Sequence, residues 1–308
     1  MFSSLPSFSE LTQAQLDTWV NQARERAQEG QLPTYIPLLG QAETDWLAVH
    51  LQSVSGAVLE SGNTNQPFCL MSVVKPFVLL FLLEQLGADH VFSLVGTQPS
   101  EHPFHSLTQL TLDGGFPRNP MINSGAIALA GHLPGDDGAT RCEQLRQWLN
   151  QKAGCHLLLD QAMLASVRSL KNEANRAIAN LLAEMGHLNE IETTLDTYNQ
   201  ICCLSGTVGD LAKLGLLLAS PQAGINLVHR RMVNALMLTS GLYEASASYA
   251  VRIGLPIKSG VSGALLAVAP SVGAIACYSP ALDATGNSVA ALFLVEQIAQ
   301  TLNLSLFS

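Results

Sequence analysis

The pattern of apolar positions changes character three times along the 308-residue chain. Residues 9–29 carry apolar side chains at helical spacing and stop at the Gly30 to Pro33 break, which predicts an amphipathic helix. Residues 45–53 and 56–60 are strand-length and separated by a Ser-rich turn, which predicts a hairpin. From about 76 to 225 the pattern is largely helical, most clearly at 174–185 and 207–219. Strand-length apolar segments then return at 249–253, 262–269 and 273–279, punctuated by Gly and Pro, before a closing helix at 289–302. Strands, a long helical insert, then strands predict an α+β fold in which the early hairpin and late strands share one antiparallel sheet flanked by helices. On this reading residues 1–75 and 226–308 form a sheet subdomain, 76–225 an all-helical subdomain, and a single site lies between them.

Composition narrows the partners. Hydrophobic residues make up 48% of the chain, and charged residues only 13%, against roughly 25% in an average soluble domain. So little charge predicts that a second copy covers part of the surface, as in a homo-dimer or tetramer. The net charge of −9 argues against a nucleic-acid partner, which needs clustered Lys and Arg. Residues 1–29 show no basic-then-apolar leader, and the apolar run 77–83 is far shorter than the roughly 20 residues of a membrane span. The expectation is a cytoplasmic protein with no membrane partner.

Cys69, Cys142, Cys155, Cys202, Cys203 and Cys277 show no C-x-x-C spacing, so they are expected to be buried thiols rather than metal ligands or a redox pair. His102 and His105 beside Glu101 hint at a metal, but Pro103 breaks the helical face that such a site needs. No metal and no cofactor is expected.

The candidate chemistry begins at Ser72-Val-Val-Lys75, whose spacing puts a hydroxyl and an amine on one helical face, one turn apart. Pro76 fixes the helix start near Ser72, because a residue without N–H is tolerated only in the first turn. There the helix dipole stabilises developing negative charge. Lys75 sits among Val73, Val74, Phe77 and Val78 and is expected to be buried, which lowers its pKa and suits it as a base. Alone, the same four residues also describe a capping serine followed by a solvated lysine. Lys258-Ser259-Gly260, at the start of the strand predicted for 262–269, supplies the K-[ST]-G element that accompanies S-x-x-K serines. The N–H groups of Ser72 and Val261 would then face an oxyanion. A Gly-rich turn before a core strand is the plain alternative.

Taken together, Tyr35-Ile-Pro37, Gly62-Asn63 with Phe68 and the Ser72/Lys75 block, Asn119 to Ile127, Asn175 to Leu182, Tyr198 to Cys202, Gly241-Leu-Tyr243, Gly254 to Val261 and Ser279 to Ser288 resemble the glutaminase family, over most of the chain. The resemblance implies a β-lactamase/transpeptidase-like scaffold and cofactor-free hydrolysis of L-glutamine through a serine acyl-enzyme. It places the catalytic residues at Ser72, Lys75 and Tyr243, and substrate binding at Tyr35, Ser72, Asn123, Asn175, Tyr198, Tyr243 and the Val261 backbone. Neutral Asn and Tyr groups suit an amide substrate; Asn123 also fits a turn residue, and both tyrosines fit core aromatics. Two positions depart from the family: Met71 replaces a glutamine, and Arg168 replaces a glutamate seven residues before Asn175. Arg168 shares a face with Asn175 if one helix spans both; the alternatives are that the segment is non-helical and points Arg168 outward, or that Glu173 supplies the missing carboxylate from a shifted backbone. The alternatives are a serine amidase with another amide substrate, a β-lactamase or transpeptidase, and a non-catalytic relative that binds a ligand or assembles with partners.

Overall fold

A computed structural model describes residues 7–221 and 224–308. Its elements are α1 (Gln13–Ala27), β1 (Ala48–Ser53), β2 (Val58–Gly62), β3 (Phe68–Cys69), α2 (Lys75–Leu86), α3 (Ala88–Leu94), α4 (Leu107–Leu112), α5 (Asn123–Ala130), α6 (Gly138–Ala153), β4 (Leu158–Leu159), α7 (Gln161–Arg168), α8 (Glu173–Glu184), α9 (Ile191–Cys202), β5 (Leu204–Gly206), α10 (Val208–Ala219), α11 (Leu227–Ser240), α12 (Ser246–Arg252), β6 (Ile257–Ser259), β7 (Ala264–Ala269), β8 (Gly273–Tyr278) and α13 (Val289–Thr301).

The predicted helix at 9–29 is α1, started by a capping box in which Thr12 and Gln15 satisfy each other's backbone N–H groups. The hairpin forms as β1 and β2, closed by the Ser53 N–H donating to Ala57 O at 2.9 Å. It joins the late strands in one antiparallel sheet ordered β2-β1-β8-β7-β6. β7 and β8 are buried at every position because both faces are covered. Leu265, Ala267, Ile275 and Cys277 face the layer made by α1 and α13. Leu266, Val268, Ala274 and Ala276 face the helical layer. There α10 lies directly on the sheet: a side chain at Gly215 would reach within 2.5 Å of the Ala274 methyl, so only glycine permits that approach.

One predicted strand is wrong. Residues 249–253 belong to the helix α12 and the turn after it, and the third late strand is β6, which contains Lys258 and Ser259. The aromatic and β-branched content of Tyr249-Ala-Val-Arg-Ile suggested a strand, but Tyr249 and Ile253, four apart, share the buried side while Val251 is 89% exposed. The K-S-G element therefore forms its own short strand, with Lys258 opposite Leu266, rather than preceding one. A small unpredicted sheet, β3-β5-β4, joins residues just before the helical stretch to two short strands within it. Its two- and three-residue strands are too short to leave a period in the sequence.

Candidate active site

Ser72 lies in a 3-10 turn, Met71–Val74, that runs straight into α2. Met71, just before it, holds φ of +46°, and Tyr243 holds φ of +56°. Left-handed conformations at bulky residues are strained and persist only where the surroundings impose them. For Met71 the surroundings include β6: a Cβ on Gly260 would lie 2.6 Å from Leu70 O and 3.3 Å from the Ser72 nitrogen. The glycine of K-S-G thus lets that strand press against the nucleophile turn. Among the described residues, no backbone acceptor takes the N–H of Ser72 or Val261.

Lys75 is fully buried, and its Nζ donates to Asn123 Oδ1 at 2.8 Å and to Met121 O at 3.3 Å. Among the described residues no carboxylate pairs with it, and burial lowers its pKa to about 8. Asn123 is placed by the block before it. The Asn119 side chain accepts from the Met121 and Ile122 N–H groups, and Gly125 leaves room for Asn119 O, which a Cβ would meet at 2.0 Å. Asn123 Oδ1 also accepts from the Tyr198 hydroxyl at 3.1 Å, and its Nδ2 donates to Asn175 Oδ1 at 2.8 Å. The buried amide is therefore satisfied on both sides in a single orientation.

Tyr243 is buried, and burial raises its phenol to about 12 against hydrogen bonding with Ser72 and Ser259 that lowers it. Its hydroxyl donates to Ser259 O at 3.3 Å. Lys258 lies beneath the ring, Nζ 4.5 Å from the centroid, and donates to Gly241 O and Ser259 O. Burial, with Lys75 nearby, holds the Lys258 pKa well below the usual lysine range. Ser259 in turn donates to Asn287 Oδ1 at 2.5 Å, which ties the block 279–288 to this wall.

The structure brings the candidates together. Tyr35, Ser72, Asn123, Asn175, Tyr198 and Val261 line one small cavity of about 90 Å³, with Lys75 and Tyr243 joined to it through Asn123 and Ser72. It opens into a cleft of about 530 Å³ past Tyr35, Phe104 and Asn172. Met71, the residue that departs from the family pattern, also lines the cavity, as do Phe104, Asn172, Asn199 and Cys202, which were not singled out as site residues from the sequence. Asn199 and Cys202 sit inside the Tyr198 to Cys202 block, so that block carried the signal; Phe104, stacked 4.6 Å from the Tyr243 ring, comes from a loop with none.

Arg168 is not in the cavity. α7 ends at Arg168 and α8 begins at Glu173, capped by Asn172, so no single helix carries Arg168 and Asn175. The guanidinium pairs with Asp196 at 2.6 Å and is half exposed. Glu173 is exposed and lines neither the cavity nor the cleft. No carboxylate lines the small cavity among the described residues.

The glutaminase family model matches residues 30–307. The chain belongs to the glutaminase family. Among its relatives, the glutaminase of Synechocystis sp. is 47% identical over 96% of this chain and 91% of its own length. The glutaminase of Alkaliphilus oremlandii is 34% identical over 96% of this chain and its full length. Among solved structures, the covalent complex of the Bacillus subtilis glutaminase YbgJ with 5-oxo-L-norleucine superposes with a TM-score of 0.86 at 32% identity, covering 96% and 99% of the two chains. A probable glutaminase, ybaS, gives 0.89 at 33%, covering 97% and 100%. This chain is accordingly an amidohydrolase of the glutaminase family on the β-lactamase-like fold.

Proposed function

We propose that this chain hydrolyses L-glutamine to L-glutamate and ammonia, with Ser72 as nucleophile and Lys75 as its base. The observation that carries this reading is the environment of Lys75. A neutral amine has two N–H groups and one lone pair; Met121 O and Asn123 Oδ1 take both N–H groups, leaving the lone pair for the Ser72 proton. Ser72 Oγ attacks the side-chain amide carbon, and the resulting oxyanion is received by the Ser72 and Val261 N–H groups. Tyr243, hydrogen-bonded to Ser72, relays to the departing ammonia the proton that Lys75 took from Ser72 and ends the step protonated itself. Water then opens the ester and glutamate leaves. The Bacillus subtilis glutaminase forms its complex with 5-oxo-L-norleucine covalently, by reaction with 6-diazo-5-oxo-L-norleucine, which supports nucleophilic catalysis by this chain. Tyr35, Asn123, Asn175 and Tyr198 bind the substrate in this scheme. Ammonia release from glutamine by the purified chain, abolished in Ser72→Ala, tests it.

A second reading, a serine amidase with a different amide substrate, is favoured by one observation. The small cavity offers Asn172, Asn175 and Asn199 to an α-ammonium but no carboxylate. Turnover of a panel of amides separates the two, and faster turnover of an amide without the α-ammonium selects the second.

The same proposal keeps the division into 1–75 with 226–308 and 76–225, the site lying between. It also keeps a homo-oligomer, a dimer or tetramer, in the cytoplasm with no nucleic-acid or membrane partner. The 13% charged composition supports assembly. No helix of the described residues is long and apolar enough to cross a membrane. Light scattering on the purified chain reads the oligomeric state.

A further inference from the structure

Among the buried polar side chains of the described residues that lack a hydrogen-bond partner, Arg141 and Thr194 line the same pocket. Arg141, on α6, is 8% exposed; its Nε donates to Gly135 O at 2.9 Å and its Nη2 to Glu190 at 3.0 Å, but Nη1 has no acceptor. Thr194, on α9, is fully buried and its hydroxyl is likewise unpaired. Both line a cavity of about 400 Å³ together with His132, His187, Asn189 and Glu190. A buried donor left without an acceptor costs free energy, and here two such donors belong to the wall of one cavity. We propose that this pocket binds a small oxyanion, a carboxylate or phosphate-type group.

The chemistry of the lining selects an anion. The free Nη1 carries N–H groups of a guanidinium, which stays charged and matches oxyanion geometry. The Thr194 hydroxyl adds a donor. Glu190, the one carboxylate in the lining, is engaged by Nη2 at the rim, where its side chain is 56% exposed and its charge is screened by water. Burial, then the neighbouring His90 and Arg141, lower the His132 pKa below the usual imidazole value. The first turn of α9 runs along the pocket with no side-chain cap, and its positive dipole end favours the same sign of ligand. Gly131 allows the depth: a Cβ there would stand 3.1 Å from the Thr194 hydroxyl. The pocket is separate from the cavity at Ser72, and the inference does not depend on what that cavity hydrolyses.

Isothermal titration of the full-length chain with sodium phosphate and with sodium acetate, at constant ionic strength in a chloride background, tests the site. Saturable binding of either anion is expected. It should weaken at least tenfold in Arg141→Lys, which keeps the charge but loses the fork, and about fivefold in Thr194→Val. Thr194→Val removes only an unpaired hydroxyl, so it keeps the fold even if Arg141→Lys does not. Its melting temperature without anion should equal or exceed that of the parent. No saturable heat with either anion up to about 50 mM, or affinity unchanged in Thr194→Val, overturns the proposal, because an anion bound only at the catalytic serine would not sense Thr194.

Discussion

The side chain of Asn123 holds Lys75 and Asn175 at once, accepting from Lys75 Nζ at 2.8 Å and donating to Asn175 Oδ1 at 2.8 Å. A neutral acceptor against a buried amine satisfies its N–H without stabilising the ammonium as a carboxylate would. Asn123→Asp changes that balance with almost no change in shape. A carboxylate beside Lys75 favours the charged form, so its pKa rises from about 8. The acid limb of the kcat/KM–pH profile should move to higher pH by at least one unit, with activity at pH 7 falling about tenfold or more. An unmoved acid limb would show that Lys75 is not the titrating base.

Ser72→Ala removes one oxygen from a site where Ser72 is 7% exposed and sits in a turn set by its neighbours. Turnover should fall below roughly one part in a thousand while the melting temperature stays within about 2 °C of the parent. Ammonia release above a few per cent of parent activity would reject Ser72 as nucleophile.

Gly260 reads as a geometric requirement. A methyl there meets Leu70 O at 2.6 Å, closer than packed atoms approach, and the obstacle is backbone. Gly260→Ala should push β6 away from the nucleophile turn and displace the Val261 N–H relative to Ser72. A loss of about a hundredfold in kcat is expected, on the scale of removing one oxyanion donor, with a smaller effect on KM. Equal kcat in the variant would separate Val261 from the oxyanion.

The sequence showed most of this architecture, and the exceptions share a cause. The hairpin and the helices α1, α10 and α13 carry periods because one face lies against the core, and β7 and β8 show as unbroken apolar runs because both faces do. Residues 249–253 misled because five residues are too few to separate a strand from a helix turn when β-branched and aromatic side chains dominate. Phe104 lies in an irregular loop and left no pattern, although its ring packs on Tyr243. The S-x-x-K spacing pointed to adjacent groups because local helix geometry fixes it. The break between Arg168 and Asn175 rests instead on Asn172, whose side chain accepts from the Asn175 N–H and starts α8 afresh.

That break changes what Arg168 should do. Paired with Asp196 and half exposed, it forms a surface ion pair of about 0–1 kcal/mol. Arg168→Ala should leave kcat/KM for glutamine within about threefold and the melting temperature within about 2 °C. A gain of tenfold would mean that the guanidinium does reach the substrate ammonium and opposes it.

Lys75 should also leave a mark on stability. Its pKa falls from 10.5 to about 8 on folding because burial disfavours the ammonium. Below pH 8 both states hold the proton, and the folded state bears the full cost of burying a charge. Between about 8 and 10.5 the folded state releases the proton while the unfolded chain keeps it, so this group's contribution to stability rises with pH, by up to about 3 kcal/mol. The buried thiols oppose it. Cys69, Cys142, Cys202 and Cys277 are all raised by burial, so the unfolded chain deprotonates first and stability falls as pH climbs above about 9. The parent alone therefore shows a mixed trend, and the difference between the parent and Lys75→Met isolates the lysine. Lys75→Met, inactive but similar in volume, should be the more stable protein at pH 7, with its advantage shrinking steadily toward pH 10. Denaturant melts at several pH values measure that difference, and a gap that stays constant from pH 7 to 10 would place the Lys75 pKa outside the window on which its role as base depends.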